Sequence, residues 1–295
     1  MHRSGFIALI GRPNVGKSTL LNALVGEKIS IISDKPQTTR NRISAVLTRP
    51  EEQIIFIDTP GLHKPKHLLG TSMVSMARST MNEVDLICFL VEANEPPGRG
   101  DAFIAEILAS ADNPVFLVIN KSDLTSPEQL ERNRDLYGEL IKAEGVFVLS
   151  ALKSLNLEPL VEAIIERLPE GPQYYPPDMI TDQPGRFIAA EIIREKIIAL
   201  TRQEVPFSVA VVIEEMKPRE ESDLLDIRAE VLVERKSQVG IIVGKGGTLL
   251  KEVGTRARLE LEALFGQRIF LDIRVKVRKD WRNRQDELRR LGYEG

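Results

Sequence analysis

Short apolar runs alternate with longer amphipathic segments over the first 170 residues of the chain. The apolar runs predict strands at residues 6–10, 43–48, 53–58, 85–91, 115–120 and 146–150. The amphipathic segments predict helices near residues 17–25, 70–82, 100–111, 127–143 and 157–168. This alternation is typical of a mainly parallel sheet with helices on both faces. We therefore predict an α/β domain over residues 1–170.

The pattern changes in the second part of the chain. A proline-rich stretch predicts an extended linker over residues 171–184. Helix-like and strand-like patterns then follow in the order α-β-β-α-α-β, at residues 187–202, 206–213, 227–234, 236–242, 248–264 and 268–277. We predict an α+β domain over residues 185–280 and a basic C-terminal tail or helix over residues 281–295.

Composition excludes several classes of protein. A hydrophobic content of 42% and a charged content of 28% are ordinary for a soluble protein with real cores. No apolar run approaches the roughly 20 residues that span a bilayer, and we expect no signal peptide. Cys88, which lies in a predicted strand, cannot form an internal disulfide and fits a reducing, cytoplasmic location.

The net charge of −3 hides a basic block. Residues 235–284 contain 13 Lys and Arg against 5 Asp and Glu, whereas the preceding residues are acidic overall. This block indicates either a face that binds a polyanion or a solvated surface without a partner.

A phosphate-binding loop follows the first predicted strand, because residues 11–18 read G-x-x-x-x-G-K-S. In this motif successive backbone N–H groups point at phosphate oxygens, the lysine lies along the β- and γ-phosphates, and the serine hydroxyl coordinates Mg²⁺. The predicted nucleotide contacts here are Gly11, Arg12, Pro13, Asn14, Val15, Gly16, Lys17, Ser18 and Thr19.

Two further strand ends carry matching motifs. Asp58 ends an apolar strand and is placed to hold a Mg²⁺ water, while Gly61 can offer its N–H to a γ-phosphate. At the next such end, Asp123 can accept both N1–H and N2–H₂ of guanine, which adenine cannot satisfy. The predicted contacts are Asp58, Thr59, Pro60, Gly61, Leu62, Asn120, Lys121, Ser122 and Asp123, with Ser150, Ala151 and Leu152 near guanine O6.

A threonine-containing stretch between the first two motifs predicts a switch. A threonine here can complete the Mg²⁺ shell only when a γ-phosphate is present, so residues 30–42 would order with GTP. Thr39 is our choice, although Thr38 is an alternative. Residues 61–70 would be the second switch. The predicted metal ligands are Ser18, Thr39 and Asp58, and the predicted catalytic residues are Lys17, Thr39, Gly61 and Asn14.

A second glycine-rich loop lies in the basic block. Residues 244–247 read G-K-G-G between two predicted helices, a pattern that lets a nucleic-acid backbone approach closely. Ile241, Ile242 and Val243 are predicted to give an apolar floor for bases, and Trp281 either stacks a base or belongs to a core or interface. The predicted RNA contacts are Ile242, Gly244, Lys245, Gly246, Gly247, Lys251, Arg274, Lys276 and Arg278.

Together these motifs resemble the GTPases of the Era and Der group, and the single phosphate loop followed by a type II KH domain is similar to the Era family. This resemblance implies GTP hydrolysis with Mg²⁺, binding to the 3′ end of 16S ribosomal RNA, a role in assembling the small (30S) ribosomal subunit, and peripheral membrane association. We expect a monomer.

The same resemblance raises the question of the attacking water. Leu62 stands where Ras-like enzymes have the glutamine that orients this water, so we expect slow intrinsic hydrolysis. In related enzymes an asparagine at the position of Asn14 helps to hold K⁺ near the phosphates, which makes K⁺ a hypothesis here. Two other interpretations remain: a membrane-surface signalling GTPase in cell-cycle control whose basic region binds anionic lipid, and an ATP-dependent RNA factor.

Overall fold

The computed structural model describes residues 2–35, 37–65, 67–202, 204–220 and 222–293. Pro36 and Lys66, which belong to the two predicted switch stretches, and the last two residues of the predicted tail lie outside this description. Within these ranges, no helix has the length and apolar character that crossing a membrane requires.

A six-stranded sheet forms the first half of the molecule, in the order β2-β3-β1-β4-β5-β6. All neighbouring pairs are parallel except the antiparallel β2 and β3. The strands are β1 (Arg3–Gly11), β2 (Ile43–Thr48), β3 (Glu52–Asp58), β4 (Leu86–Glu92), β5 (Val115–Asn120) and β6 (Gly145–Val148). The helices are α1 (Lys17–Val25), α2 (Leu68–Met81), α3 (Arg99–Leu108), α4 (Pro127–Leu140) and α5 (Leu157–Arg167). Separate apolar cores on the two faces confirm the predicted layered α/β fold.

The second half also follows the predicted element order. Helices α6 (Gly185–Leu200), α7 (Val205–Ser208), α8 (Lys236–Val243) and α9 (Thr248–Phe265) accompany strands β7 (Ala210–Pro218), β8 (Leu224–Val233) and β9 (Arg268–Val277). The sheet has the order β7-β8-β9, with an antiparallel and a parallel pair. One prediction was wrong in detail: residues 206–209 precede the strand, because Pro206 lies in the first turn of the short helix α7 and β7 begins at Ala210.

The proline-rich segment is extended, as predicted, but it is bound along the first sheet. Ile180 accepts a backbone hydrogen bond from Val46 on the edge strand β2 (2.9 Å), and the Thr181 hydroxyl donates to the carbonyl of Ser44 (2.7 Å). The buried Gln53 amide accepts from the N–H of Tyr175 (2.9 Å) and donates to its carbonyl (2.9 Å). The segment therefore covers the exposed edge of β2, while the domain boundaries themselves stay a prediction.

A small apolar core joins the two halves and the C-terminal residues. It contains Leu69 and Met73 from α2, Ala210 and Leu232 from the second sheet, and Trp281, Leu288 and Tyr293. The Trp281 ring is fully buried, and its Nε1 donates to the Ser208 carbonyl (2.9 Å). The alternative that Trp281 stacks on a base is therefore wrong. The predicted C-terminal helix, α10 (Gln285–Arg290), is likewise docked rather than free.

We expect Trp281→Ala to lower the free energy of unfolding by about 3–5 kcal/mol, because it leaves a large cavity and an unpaired carbonyl. Urea denaturation followed by circular dichroism measures this change. Trp281→Phe is the control and should have a smaller effect. Unchanged stability together with weaker RNA binding would contradict the core assignment.

Candidate nucleotide site and RNA-binding groove

The phosphate-binding motif forms the turn between β1 and α1. Gly16 there has a φ of 98°, and a Cβ at this residue would lie 2.2 Å from the Asn120 amide nitrogen. Only glycine fits both conditions. The buried Lys17 ammonium donates to the carbonyls of Gly11 (3.1 Å) and Arg12 (2.9 Å), so the loop curls around it.

The carboxylate of Asp58 is fully buried and contacts Ser18 and Thr39, which line the nucleotide cleft. Its Oδ2 accepts from the hydroxyls of Ser18 (2.6 Å), Ser30 (2.9 Å) and Thr39 (3.3 Å). Its Oδ1 has no hydrogen-bond partner among the described residues. A buried carboxylate oxygen without a donor, next to two hydroxyls, is the set of hard oxygen ligands that suits Mg²⁺.

Burial shifts both charged groups of the cleft toward their neutral forms. It lowers the pKa of Lys17 to about 8, and the nearby Asp58 carboxylate opposes this shift. Burial also raises the pKa of Asp58, against the effects of Lys17 and the three hydroxyls. Phosphate oxygens beside the ammonium and a cation beside the carboxylate would each favour the charged form again.

The structure separates the two candidate threonines. The Thr39 hydroxyl lies 3.0 Å from the Ser18 hydroxyl and reaches Asp58. The Thr38 hydroxyl instead donates to the Lys35 carbonyl (2.6 Å). Of the pair, only Thr39 therefore presents its side chain to the candidate metal ligands.

The residues brought together around the cleft come from the loop, from α1, from the first predicted switch and from the start of the second. They are Pro13, Asn14, Gly16, Lys17, Ser18, Thr19, Ile31, Ile32, Ser33, Gln37, Thr38, Thr39 and Gly61. The Asn14 side chain bridges two of these segments, because its amide donates to the Asp34 carbonyl (2.7 Å).

The predicted guanine-binding residues meet at the ends of β5 and β6. The buried Asn120 donates to the Val15 carbonyl (2.9 Å) and accepts from the Ala151 N–H (2.9 Å). It therefore connects the phosphate loop to the residues that follow β6. The Ser150 hydroxyl donates to Asp123 Oδ1 (2.5 Å), which orients an otherwise exposed carboxylate. Lys121 pairs with Glu92, and Ser122 begins the 3₁₀ turn that carries Asp123.

Several predicted contacts turn their side chains away from the cleft. Arg12 pairs with Glu95 (3.2 Å) and with the buried Asp101 (2.9 Å) at the start of α3. Val15 and Leu62 lie in the apolar cores on the two faces of the first sheet. Two other predicted nucleotide contacts also have their side chains elsewhere. The Thr59 hydroxyl donates to the Leu9 carbonyl (2.8 Å), and Leu152 is 74% exposed.

Sequence reasoning missed residues that shape the cleft from the side. Asn22 on α1 accepts from the N–H groups of Ile29 and Ser30 (both 2.9 Å), which starts the first switch stretch. Gln37 Nε2 donates to His63 Nε2 (3.0 Å) and so links the two switch stretches. The only feature of the sequence that could have indicated the role of Asn22 is its polar side chain on the inner side of α1.

A second candidate site surrounds the other glycine loop. Gly244 has a φ of 72°, and a Cβ there would lie 2.8 Å from the Leu249 Cβ, so the sharp turn between α8 and α9 requires glycine. An open groove follows between α9 and the edge strand β9. It is lined by Gly247, Leu250, Lys251, Gly254, Thr255, Arg258, Leu271 and Ile273.

The structure corrects part of the predicted RNA-contact set. Ile242 is fully buried in the core of the second domain and gives no floor to the groove, whereas the neighbouring Ile241 is exposed. Side chains alternate along β9, so Arg274 and Lys276 lie on the face opposite to Leu271 and Ile273, and Arg278 follows the end of the strand. These three basic residues pair with Asp272, Glu230 and Glu287, respectively.

Both halves of the chain are similar to known families. Residues 6–121 match the family model described as 50S ribosome-binding GTPase, and residues 204–282 match the KH domain model. The chain is 52% identical over 292 residues to the GTPase Era of Heliobacterium modesticaldum, which covers 99% of this chain and 97% of the relative.

Two solved structures of Era are similar over the full length. One is a point variant of Aquifex aeolicus Era bound to GDP·AlF₄⁻, with 44% identity, a TM-score of 0.96 and coverage of 99% of this chain and 100% of that one. The other is Era in complex with MgGDPNP and nucleotides 1506–1542 of 16S ribosomal RNA, with 45% identity, a TM-score of 0.95 and full coverage of both chains. With about half of its residues shared along nearly its entire length, this chain belongs to the Era family and is a GTPase.

Proposed function

We propose that this GTPase is a switch that binds the 3′ end of 16S ribosomal RNA through its KH domain and acts in the assembly and maturation of the 30S subunit. One observation carries the proposal: a relative with 45% identity holds MgGDPNP and nucleotides 1506–1542 of 16S ribosomal RNA. The phosphate loop and the G-x-x-G groove of this chain supply matching chemistry at two sites. The protein would act as a monomer in the cytoplasm.

In the proposed reaction, water attacks the γ-phosphorus and the bond to the β–γ bridging oxygen breaks, so that GDP leaves and the protons of the water end on the released phosphate. Mg²⁺, when bound with the nucleotide, neutralises charge on the β- and γ-phosphates. Ser18 and Thr39 would hold it through their hydroxyls, and Asp58 through its free Oδ1. Lys17 would lie along the phosphates, and Gly61 would donate its N–H to the γ-phosphate.

Slow hydrolysis is part of this proposal. The Leu62 side chain is buried in an apolar core and has no polar atom to orient water. Asn14 would hold K⁺ near the phosphates, since its amide already joins the phosphate loop to the carbonyl of Asp34. Such an ion would add the positive charge that a catalytic side chain supplies in other GTPases.

The KH groove favours a single-stranded RNA over a lipid surface. Its walls combine the glycine loop with Leu250, Leu271 and Ile273, which suits bases and a backbone together. Much of the charge on the opposite sheet face is already paired between Arg228, Arg274 and the carboxylates of Glu215 and Asp272. A weak membrane association through basic residues remains the competing outcome of the RNA test below.

We expect Asp123→Asn to change the preferred nucleotide from GTP toward xanthosine triphosphate, whose C2 carbonyl suits an amide donor. The loss of GTP preference should be about 10²-fold, because bound guanine would face an amide donor where it needs an acceptor and both groups would be shielded from water. Competition binding with the two nucleotides measures it. Asp135→Asn, at an exposed position of α4, is the control. Unchanged GTP preference would contradict the role of Asp123.

The double variant Lys245→Asp/Gly246→Asp should lose binding to a single-stranded oligonucleotide of the 16S 3′ end, because it places negative charge where the backbone approaches. Lys217→Asp/Pro218→Asp makes the same change of charge on the opposite edge strand β7 and should bind normally. Fluorescence anisotropy measures RNA binding, and sedimentation with anionic vesicles measures lipid binding. Intact RNA binding with lost vesicle binding would favour the lipid interpretation.

GTP turnover should be faster in KCl than in NaCl at equal ionic strength, because the smaller Na⁺ fits the same oxygen ligands poorly. Phosphate release measures turnover, and Asn14→Ala should remove the difference between the two salts. Equal turnover of the unaltered protein in both salts would eliminate the K⁺ site.

A further inference from the structure

The first switch stretch depends on side chains for its shape. Within residues 27–35 and 37–42, the described backbone groups form no hydrogen bond with other backbone groups. Asn22 and Asp58 hold the stretch at Ser30, and Asp58 and Ser18 hold it at Thr39. The contacts of the intervening residues therefore decide where Thr39 lies.

Helix α6 of the KH domain makes several of these contacts. Glu195 accepts from the Ile32 N–H (3.2 Å) and pairs with Lys28 (2.7 Å). The preceding residue, Arg194, donates from its Nη2 to the Thr38 carbonyl. Arg194 is fully buried, and Glu191 accepts from its Nε at 2.8 Å. The guanidinium is thus oriented from its own helix and presented to the switch.

The Arg194 contact acts on Thr39 through a rigid unit. The carbonyl of Thr38 and the N–H of Thr39 share one planar peptide group, so fixing the carbonyl fixes the direction from which the Thr39 side chain leaves the chain. The hydroxyl of Thr39 then lies 3.0 Å from Ser18 and 3.3 Å from Asp58.

A second buried arginine fixes the other side of Thr39. Arg40 donates to the carbonyls of Val209 (2.7 Å) and Pro206 (3.2 Å), next to the start of β7. Its guanidinium also lies 5.7 Å from the Trp281 ring centre and 5.9 Å from that of Tyr293. Thr39 is therefore bracketed by two arginine contacts that both cross to the KH half of the molecule.

We propose that Arg194 is a positioning residue for GTP: from the KH domain, it holds the Thr38 carbonyl and so sets the Thr39 hydroxyl at the Mg²⁺ site. The proposal rests on the GTP switch proposed above. A threonine in this stretch serves the metal only when a γ-phosphate is present. Arg194 should accordingly support the binding of GTP and contribute little to that of GDP.

The experiment compares the affinities of Arg194→Ala and the unaltered protein for fluorescent GDP and for a non-hydrolysable GTP analogue, both with Mg²⁺. Removing a charge-assisted hydrogen bond should weaken binding of the analogue about tenfold and leave GDP affinity within about twofold. Arg186→Ala, an exposed arginine on the same helix, is the matched control and should change neither value. An unchanged ratio of the two affinities would overturn the proposal.

A double-mutant cycle distinguishes positioning from a general loss of stability. In a Thr39→Ala background, Arg194→Ala should have no further effect on the analogue, because the two residues act through one contact. A full additional loss would overturn the proposal. If Arg194→Ala does not fold, Glu191→Ala/Arg194→Ala removes both charges of the buried pair and gives the same comparison.

The two proposals fail in different ways. Absence of nucleotide binding by the unaltered protein would contradict the GTP switch itself. Suppose instead that the unaltered protein binds both nucleotides, and that the Arg194 variants keep the same ratio of GTP-analogue affinity to GDP affinity. That result would contradict only the positioning role.

Discussion

The need to stabilise one buried carboxylate, that of Asp58, shapes the nucleotide half of the molecule. Burial opposes its charge and raises its pKa, while three hydroxyls and the Lys17 ammonium favour the charge. The hydroxyls come from α1 and from both ends of the first switch stretch, at Ser18, Ser30 and Thr39. A charge without such donors would be too costly to bury. The path of the switch stretch therefore follows from the solvation of Asp58, although these residues are distant in sequence.

Contacts from the KH half support the described residues of the first switch stretch. The support is polar: Arg40 donates to backbone carbonyls and lies near two aromatic rings, and burial lowers its pKa to about 10. Water would solvate this guanidinium well, so opening the interface recovers hydration that a purely apolar contact would not. The apolar core around Trp281 gives affinity to the same interface. An interface that combines the two is suited to a reversible change of contact with nucleotide state.

The residues whose placement sequence could predict are those at strand ends. Asp58, Asn120 and Ser150 follow apolar strands, and parallel strands bring their carboxyl ends to one edge of the sheet. The contacts of Arg40 and Arg194 could not be predicted, because they join elements more than 150 residues apart and no local motif marks them. Ile242 shows a different limit. An apolar residue beside a glycine loop has the same pattern whether it lines a groove or fills a core, and only the packing of α8 against the sheet decides.

Which of the basic side chains are paired with carboxylates also could not be predicted from the sequence. The basic block of the sequence contributes residues both to the groove and to the opposite face of the sheet. The two surfaces differ in how many of their cations form ion pairs. On the sheet face, Lys276 pairs with the buried Glu230, so its charge is largely compensated within the protein. Near the groove, neither Lys245 nor Lys251 forms an ion pair with any residue that the structure describes. A phosphate backbone therefore meets uncompensated charge beside the glycine loop, where the chain also allows a close approach. Few cations and an apolar wall then share the binding energy, which makes recognition by the groove depend on bases as well as on charge.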